Sequence, residues 1–207
     1  MISRAIKRWI DVLGSLTGLI LAAPLFPVIG MMIRLTMGPG VIFAQDRAGL
    51  HGRPFRLIKF RTMTNDRGPT GSLLPDDRRL TRLGAFFRKT SLDELPQFWN
   101  VLKGDMSLIG PRPLPVEYLK LYTPEQMRRQ SVRPGLVSLA TVRGRNKNTW
   151  EEKFAYDLYY VDNRSLWLDL FILALAVPTI LSCSGVNEQG RTGSSDFTGT
   201  KPKADGR

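Results

Sequence analysis

The stretch "VLGSLTGLILAAPLFPVIGMMI", Val12 to Ile33, carries no charged residue and decides what kind of protein this is. At about 1.5 Å of rise per residue, a helix of this length reaches across the hydrocarbon core of a bilayer. A cleaved signal peptide would be shorter, and no small-x-small cleavage site with a secreted start follows it. A helix apolar on every side fits poorly in the core of a small soluble domain. Membrane insertion is the reading that remains.

The flanks say how it inserts. Arg4, Lys7 and Arg8 precede the stretch, and Arg34, Arg47 and Arg53 follow it. Lys and Arg favour the cytoplasmic side of a membrane, and a single span can satisfy only one of these flanks. Pro24 and Pro27 each remove a backbone donor and disfavour a straight helix. A re-entrant helix, bent near Pro24 and Pro27 and leaving by the face it entered, satisfies both flanks. The backbone groups freed at the bend then need partners inside the protein or near the interface. Residues 1–36 are expected to form this membrane unit, and residues 37–186 a cytosolic domain. Residues 187–207, which lack any hydrophobic period, are expected to form a flexible tail. A second apolar stretch, Leu170 to Cys183, is too short to span and contains Pro178, so it reads as a core or interfacial helix.

The 207 residues carry a formal net charge of +12, which calls for an anionic partner: nucleic acid, lipid head groups or a phosphorylated small molecule. No RNP-like or zinc motif supports nucleic acid, and the membrane stretch argues against it. With one cysteine, Cys183, and one histidine, His51, neither an intramolecular disulfide nor a zinc site is expected. His51 lies in "AGLHGRP" and reads as a surface turn. P-loop, dinucleotide-binding and nucleophile-elbow motifs are absent, as is a D-x-D pair.

The remainder reads as α+β. "GVIFAQ" (40–45) and "PFRLIKFRTM" (54–63) form a β-hairpin, with Phe55, Leu57, Lys59 and Arg61 on one face by period-2 alternation. "RRLTRLGAFFRKT" (78–90) interleaves apolar and basic residues as an interfacial amphipathic helix does. Further helices are expected at 92–103, 115–131 and 149–161.

"SLDELPQFWNVLKGDMSLIGPRP", Ser91 to Pro113, sets two carboxylates side by side in a basic chain. Ser91 to Glu94 fits a helix capping box, and a helix N-terminus also favours phosphate. Adjacent helical residues lie about 100° apart, so Asp93 and Glu94 can serve different partners. A carboxylate can be a covalent nucleophile on phosphorus, provided that cations hold the phosphate oxygens. Lys59, Arg61, Arg88, Arg112, Arg143 and Arg145 are the candidates, with Arg112 fixed between Pro111 and Pro113.

These segments together resemble the bacterial sugar transferases, more narrowly the small monotopic phosphoglycosyl transferases that start glycoconjugate assembly. The resemblance runs from "KRWIDVLGSLTGLILAAPLFPVIGMMIRL" to "FTG", and is strongest in "VIFAQDRAGLHGRPFRLIKFRTM", the carboxylate segment and "RPGL". It implies transfer of sugar phosphate from a UDP-sugar to a polyprenol phosphate such as undecaprenyl phosphate, with Mg²⁺ and release of UMP. The setting it implies is the cytoplasmic face of a bacterial inner membrane. Asp93 would be the nucleophile and a Mg²⁺ ligand, and Glu94 its partner in proton transfer or metal binding. Lys59, Arg61, Arg88 and the Pro111-Arg112-Pro113 loop would hold phosphates, with Arg145 near the nucleotide. The resemblance also implies a re-entrant helix broken at a proline, here Pro24; the family's Ser before that proline is Ala23 here, and its pattern after "RPGL" is replaced by "VSLATVRGRN". The competing reading is a basic membrane-surface adaptor that binds anionic lipid without catalysis, which leaves Asp93, Glu94 and the Pro-Arg-Pro without a purpose.

Overall fold

The computed structural model describes residues 4–144, 147–181 and 196–200. Helices α1 (Arg4–Ala22) and α2 (Leu25–Met37) meet at Ala23-Pro24 with a bend of 60°. Pro24 has no N–H, and the chain turns the corner on three-residue bonds, Ala23 N to Ile20 O and Phe26 N to Ala23 O, both 3.3 Å. No single helix among the described residues is long and apolar enough to cross a membrane, but the bent pair together has that length and composition.

Helix α2 is apolar on two sides and uses them differently. Ile29, Ile33 and Met37 recur every fourth residue and pack with Phe60 and Phe87 in the core. Leu25, Val28, Met31, Met32 and Leu35 face outward and stay exposed. Helix α2 therefore shares a hydrophobic core with Phe60 and Phe87 of the remaining chain.

Helix α1 is tied in by polar groups. Arg8 donates to the Val101 and Leu102 carbonyls at 2.7 and 2.6 Å, satisfying acceptors at a helix end. Asp11, buried, accepts from Ser107 Oγ and Leu108 N at 3.0 Å each. Lys7 bridges Asp11 at 3.3 Å and Asp169 at 2.9 Å. Gly14 and Gly18 allow the close approach, since a Cβ there would lie 2.6 Å from Leu108 Cδ1 and 2.7 Å from the Phe98 ring. The opposite face exposes Ile6, Trp9, Ile10, Leu13, Leu16 and Ile20. Asp11→Ala strands the Ser107 hydroxyl and Leu108 amide beside a half-paired Lys7. We expect a loss of about 2–3 kcal/mol, read as a lower melting temperature in detergent.

Strands β1 (Ile42–Ala48) and β2 (Pro54–Phe60) form the expected antiparallel hairpin, Ile42 opposite Phe60 and Ala48 opposite Pro54. His51 sits exposed in its turn at φ 57°. Helices α3 (Asp76–Arg79), α4 (Arg82–Thr90) and α5 (Gln97–Lys103) follow, then β3 (Ser107–Ile109). The chain continues through α6 (Pro124–Met127), β4 (Gly135–Val137), α7 (Leu139–Arg143), α8 (Trp150–Asn163) and α9 (Leu166–Leu181). Strand β4 pairs with β3 in parallel, Ser107 beside Gly135 and Ile109 beside Val137. Asn100 locks α5 to β2: its Oδ1 accepts from Ile58 N at 3.1 Å, and its Nδ2 donates to Arg56 O at 2.9 Å.

The α+β expectation holds, with local differences. The helix expected over 92–103 is a 3₁₀ turn, Leu92–Glu94, followed by α5, because Pro96 cannot continue a hydrogen-bonded run. The helix expected over 115–131 is broken into 3₁₀ and α turns, with Pro115 and Pro124 at the starts of segments. Helix α9 buries Ile172 and Ala176 and exposes Trp167, Leu170, Phe171, Leu173 and Val177. Residues 196–200 of the expected flexible tail are seated on the body. Phe197 is buried among Tyr118, Tyr122, Trp150 and Phe154, with ring centroids 5.1–5.9 Å away.

Candidate functional site

A cleft of about 590 Å³ opens where the hairpin, α4, the 3₁₀ turn at Leu92–Glu94 and the Pro111-Arg112-Pro113 loop meet. Its hairpin wall follows from strand alternation. Phe43, Gln45 and Arg47 of β1 stand opposite Lys59, Leu57 and Phe55 of β2, so one face of both strands looks inward. The Lys59 ammonium lies 5.5 Å from the centre of the Phe43 ring.

Ser91 sets up the floor. It ends α4 in a left-handed conformation, φ 58°, which a non-glycine residue adopts at a cost of about 1–2 kcal/mol. The sharp turn packs Leu92 against the core and delivers Asp93 and Glu94 to the cleft, where Asp93 is 5% exposed. The Ser91–Glu94 capping box does not form. The Ser91 side chain makes no capping bond, and Glu94 Oε1 instead accepts from Arg112 Nη2 at 2.7 Å. A charge-assisted bond to a guanidinium outcompetes a bond back to an amide.

The electrostatics centre on Asp93. Burial, and next the Glu94 carboxylate beside it, push its carboxyl up to about 6, while Lys59, Arg88 and Arg112 pull it down. Burial pushes the Lys59 ammonium below its ordinary value, with Asp93 pulling it back up. Burial likewise lowers Arg88, whose Nε donates to Thr62 Oγ1 at 3.0 Å. Glu94 raises Arg112. Two adjacent carboxylates thus face three cations contributed by β2, α4 and the Pro111-Arg112-Pro113 loop, a charge arrangement that can receive an anion. Among the described residues, no three or more His, Cys, Asp or Glu side chains converge on one metal position. Asp93 and Glu94 are nevertheless the hard oxygen donors that Mg²⁺ uses when substrate phosphates and water complete its shell, so the pair fits that ion.

Lys59, Arg88, Asp93, Glu94, Arg112 and Pro113 thus come together on one cleft. Arg61 borders it, but its guanidinium is turned away onto the carbonyls of Met37, Gly38 and Pro39 at 2.6–2.7 Å. It caps the end of α2, so the phosphate role expected for it does not fit this placement. Pro111 is buried behind the loop and does not line the cleft. Arg143 stacks at 5.6 Å on Phe171 of α9 and does not border the cleft. Arg145 lies outside the described residues. Sequence reasoning missed Arg47, Arg129 and Asp157. Burial, with Arg112 beside it, pulls Arg47 down to about 10. Carrying the alternation of β2 across to β1 would have found Arg47. No pattern links Arg129 to Asp157, its partner at 2.7 Å.

Comparison with known proteins gives this arrangement a context. The family described as bacterial sugar transferase matches residues 2–183. An uncharacterized sugar transferase, EpsL, of Bacillus subtilis is 52% identical over 169 residues, covering 82% of this chain and 84% of that protein. The galactosyl transferase CpsE of Streptococcus agalactiae is 40% identical over 193 residues, 86% of this chain but 43% of that protein. A UDP-glucose:undecaprenyl-phosphate glucose-1-phosphate transferase of Caulobacter vibrioides is 40% identical over 186 residues, covering 85% of this chain and 70% of that protein.

Proposed function

The chain belongs to the bacterial sugar transferase family, and from that premise we propose that it moves a sugar phosphate from a UDP-sugar to a polyprenol phosphate. The observation that carries this reading is Asp93, buried in the cleft under the opposing pull of Lys59, Arg88 and Arg112. The cations hold the donor diphosphate. The Asp93 carboxylate attacks the β-phosphorus, and the bridging P–O bond breaks, UMP leaving with the electron pair. A phosphate oxygen of the polyprenol phosphate then attacks the same phosphorus and breaks its bond to Asp93, which returns to a carboxylate. Glu94 takes the proton of an acceptor that arrives protonated. Mg²⁺ held by Asp93 and Glu94 would neutralise phosphate charge.

UMP release from a panel of UDP-sugars, with and without polyprenol phosphate and Mg²⁺, tests the reaction. Multiple-turnover release that depends on donor, acceptor and metal supports it, with at most one UMP per protein when the acceptor is left out, and the best donor identifies the sugar. No release by folded, membrane-bound protein would sink it in favour of a lipid-binding adaptor. The covalent step has its own signature in pH. The reactive form of Asp93 is the carboxylate and its group titrates near 6, so kcat/KM for UMP release should fall about tenfold per pH unit below 6. Glu94 is one of the causes of the upward shift, so Glu94→Gln should move that inflection to lower pH. A flat profile between pH 5 and 7 would remove Asp93 from the chemistry.

The same reading places α1 and α2 in the membrane as a re-entrant pair, their exposed apolar stripes facing lipid, with Trp167 and Phe171 of α9 at the interface. Single cysteines placed at Ala5 and at Gly40, in a Cys183→Ser background, should both react with a membrane-impermeant thiol reagent from the cytoplasmic side only. Reaction from opposite sides would mean a span.

A further inference from the structure

Two of the three residues in Pro111-Arg112-Pro113 have no N–H, so this segment can be held mainly through its carbonyls. All three are engaged. Gly135 N donates to Pro111 O at 2.9 Å, Arg129 Nη2 to Arg112 O at 2.6 Å, and Arg47 Nη1 reaches Pro113 O at a longer 3.5 Å. The middle contact is the shortest and comes from a side chain that is 2% exposed.

Arg129 is itself held on several sides. Its Nε and Nη2 donate to Asp157 Oδ2 at 2.9 and 2.7 Å, and its Nη1 to the Tyr122 hydroxyl at 3.3 Å. The guanidinium lies 5.8 Å from the ring centres of both Tyr122 and Phe154. Such a buried pair is a poor means of gaining stability, because desolvation offsets most of the attraction and well-packed apolar residues often serve as well. What apolar residues cannot do is donate a hydrogen bond to the Arg112 carbonyl. The Arg112 side chain is half exposed and its tip meets Glu94 at 2.7 Å, so its direction into the cleft depends on the backbone from which it springs as well as on that bond.

We propose that Arg129, oriented by Asp157, is a positioning residue for Arg112, fixing the backbone from which that guanidinium reaches Glu94 and the donor phosphates. The proposal rests on the cleft being the site of sugar-phosphate transfer. It separates two properties that a purely structural pair would keep together, stability and turnover. The paired replacement Arg129→Met with Asp157→Leu should melt near the wild-type temperature, whereas its kcat/KM for UMP release should fall ~10-fold or more. The Arg129→Lys variant, which keeps the charge but loses the planar fork, should show a loss of the same direction.

The deciding measurement repeats both variants in an Arg112→Ala background. If Arg129 acts through Arg112, the added loss there should shrink to less than ~3-fold, because the group being positioned is already gone. Equal losses in both backgrounds, or unchanged kcat/KM in folded variants, would overturn the proposal. If the paired replacement fails to fold, Arg129→Lys alone carries the cycle. Wild-type protein active on a UDP-sugar while the cycle is additive refutes only this inference; wild-type protein inactive on every donor removes its premise and the inference with it.

Discussion

Asp93→Asn should abolish turnover while the protein folds and binds membrane as before. Asparagine keeps the shape of the side chain and removes the anionic oxygen that would bond to phosphorus. We expect UMP release to drop by roughly 10³-fold or more, with or without acceptor. Wild-type protein given donor but no acceptor should retain a radiolabelled sugar phosphate through denaturation, and the variant should retain none. Stability should move the other way. The group titrates near 6 against an ordinary value of 3.8, so the native state favours the protonated form. Its contribution is present below pH 4 and is lost as pH rises from about 4 to 6, leaving a buried charge that the fold tolerates at some cost. Removing that charge should stabilise the fold at pH 7 by an amount on the order of 1–3 kcal/mol, read as a higher melting temperature. A variant that keeps normal turnover would end the covalent reading. One that retains label would assign the nucleophile to another side chain.

Gly84→Ala should have the largest effect on stability of any single methyl added near the cleft. A Cβ at this position would sit 1.8 Å from the Thr62 carbonyl oxygen and 2.7 Å from its carbon, and backbone cannot swing aside as a side-chain tip can. Helix α4 must then lift off the strand end. One turn on, Arg88 holds Thr62 Oγ1 at 3.0 Å from the same face of the helix, and Phe87 fills the core beside it. Lifting the helix therefore opens the core and withdraws a cleft-lining cation together. The expected loss is roughly 3 kcal/mol, with kcat/KM falling in the protein that remains folded. A melting curve unchanged from wild type would mean that α4 and the end of β2 are less tightly joined than these distances imply.

Much of this arrangement is legible in the chain, because local rules govern it. Pro24 marks the corner between α1 and α2, and alternation predicts the hairpin and the inward face of Lys59. The convergence of Asp93, Glu94, Arg88 and Arg112 was not readable from spacing; the roles given to them came from the family resemblance. Where reading failed, a stronger partner from elsewhere in the chain had intervened. Arg61 continues the alternation of β2, but it stands just past Phe60, where the strand ends, and the open carbonyls at the end of α2 take its guanidinium. Glu94 forsakes Ser91 for Arg112 across 18 residues of chain. Phe197 sits in a polar tail whose composition predicts disorder, yet four aromatic rings from distant segments receive it. None of these partners lies within the window that periodicity can see.

The stitching of α1 by Arg8, Asp11 and Lys7 means that this apolar helix is also a support for the body that carries the cleft. Asp11 grips Ser107 and Leu108, and the strand that begins there runs through Ile109 and Gly110 straight into Pro111-Arg112-Pro113. A chimera carrying an unrelated hydrophobic hairpin would lack the foundation of the Pro111-Arg112-Pro113 loop. Deleting the helix to obtain a soluble fragment would cut the same foundation. The apolar helix and the loop at the mouth of the cleft are inherited here as one part.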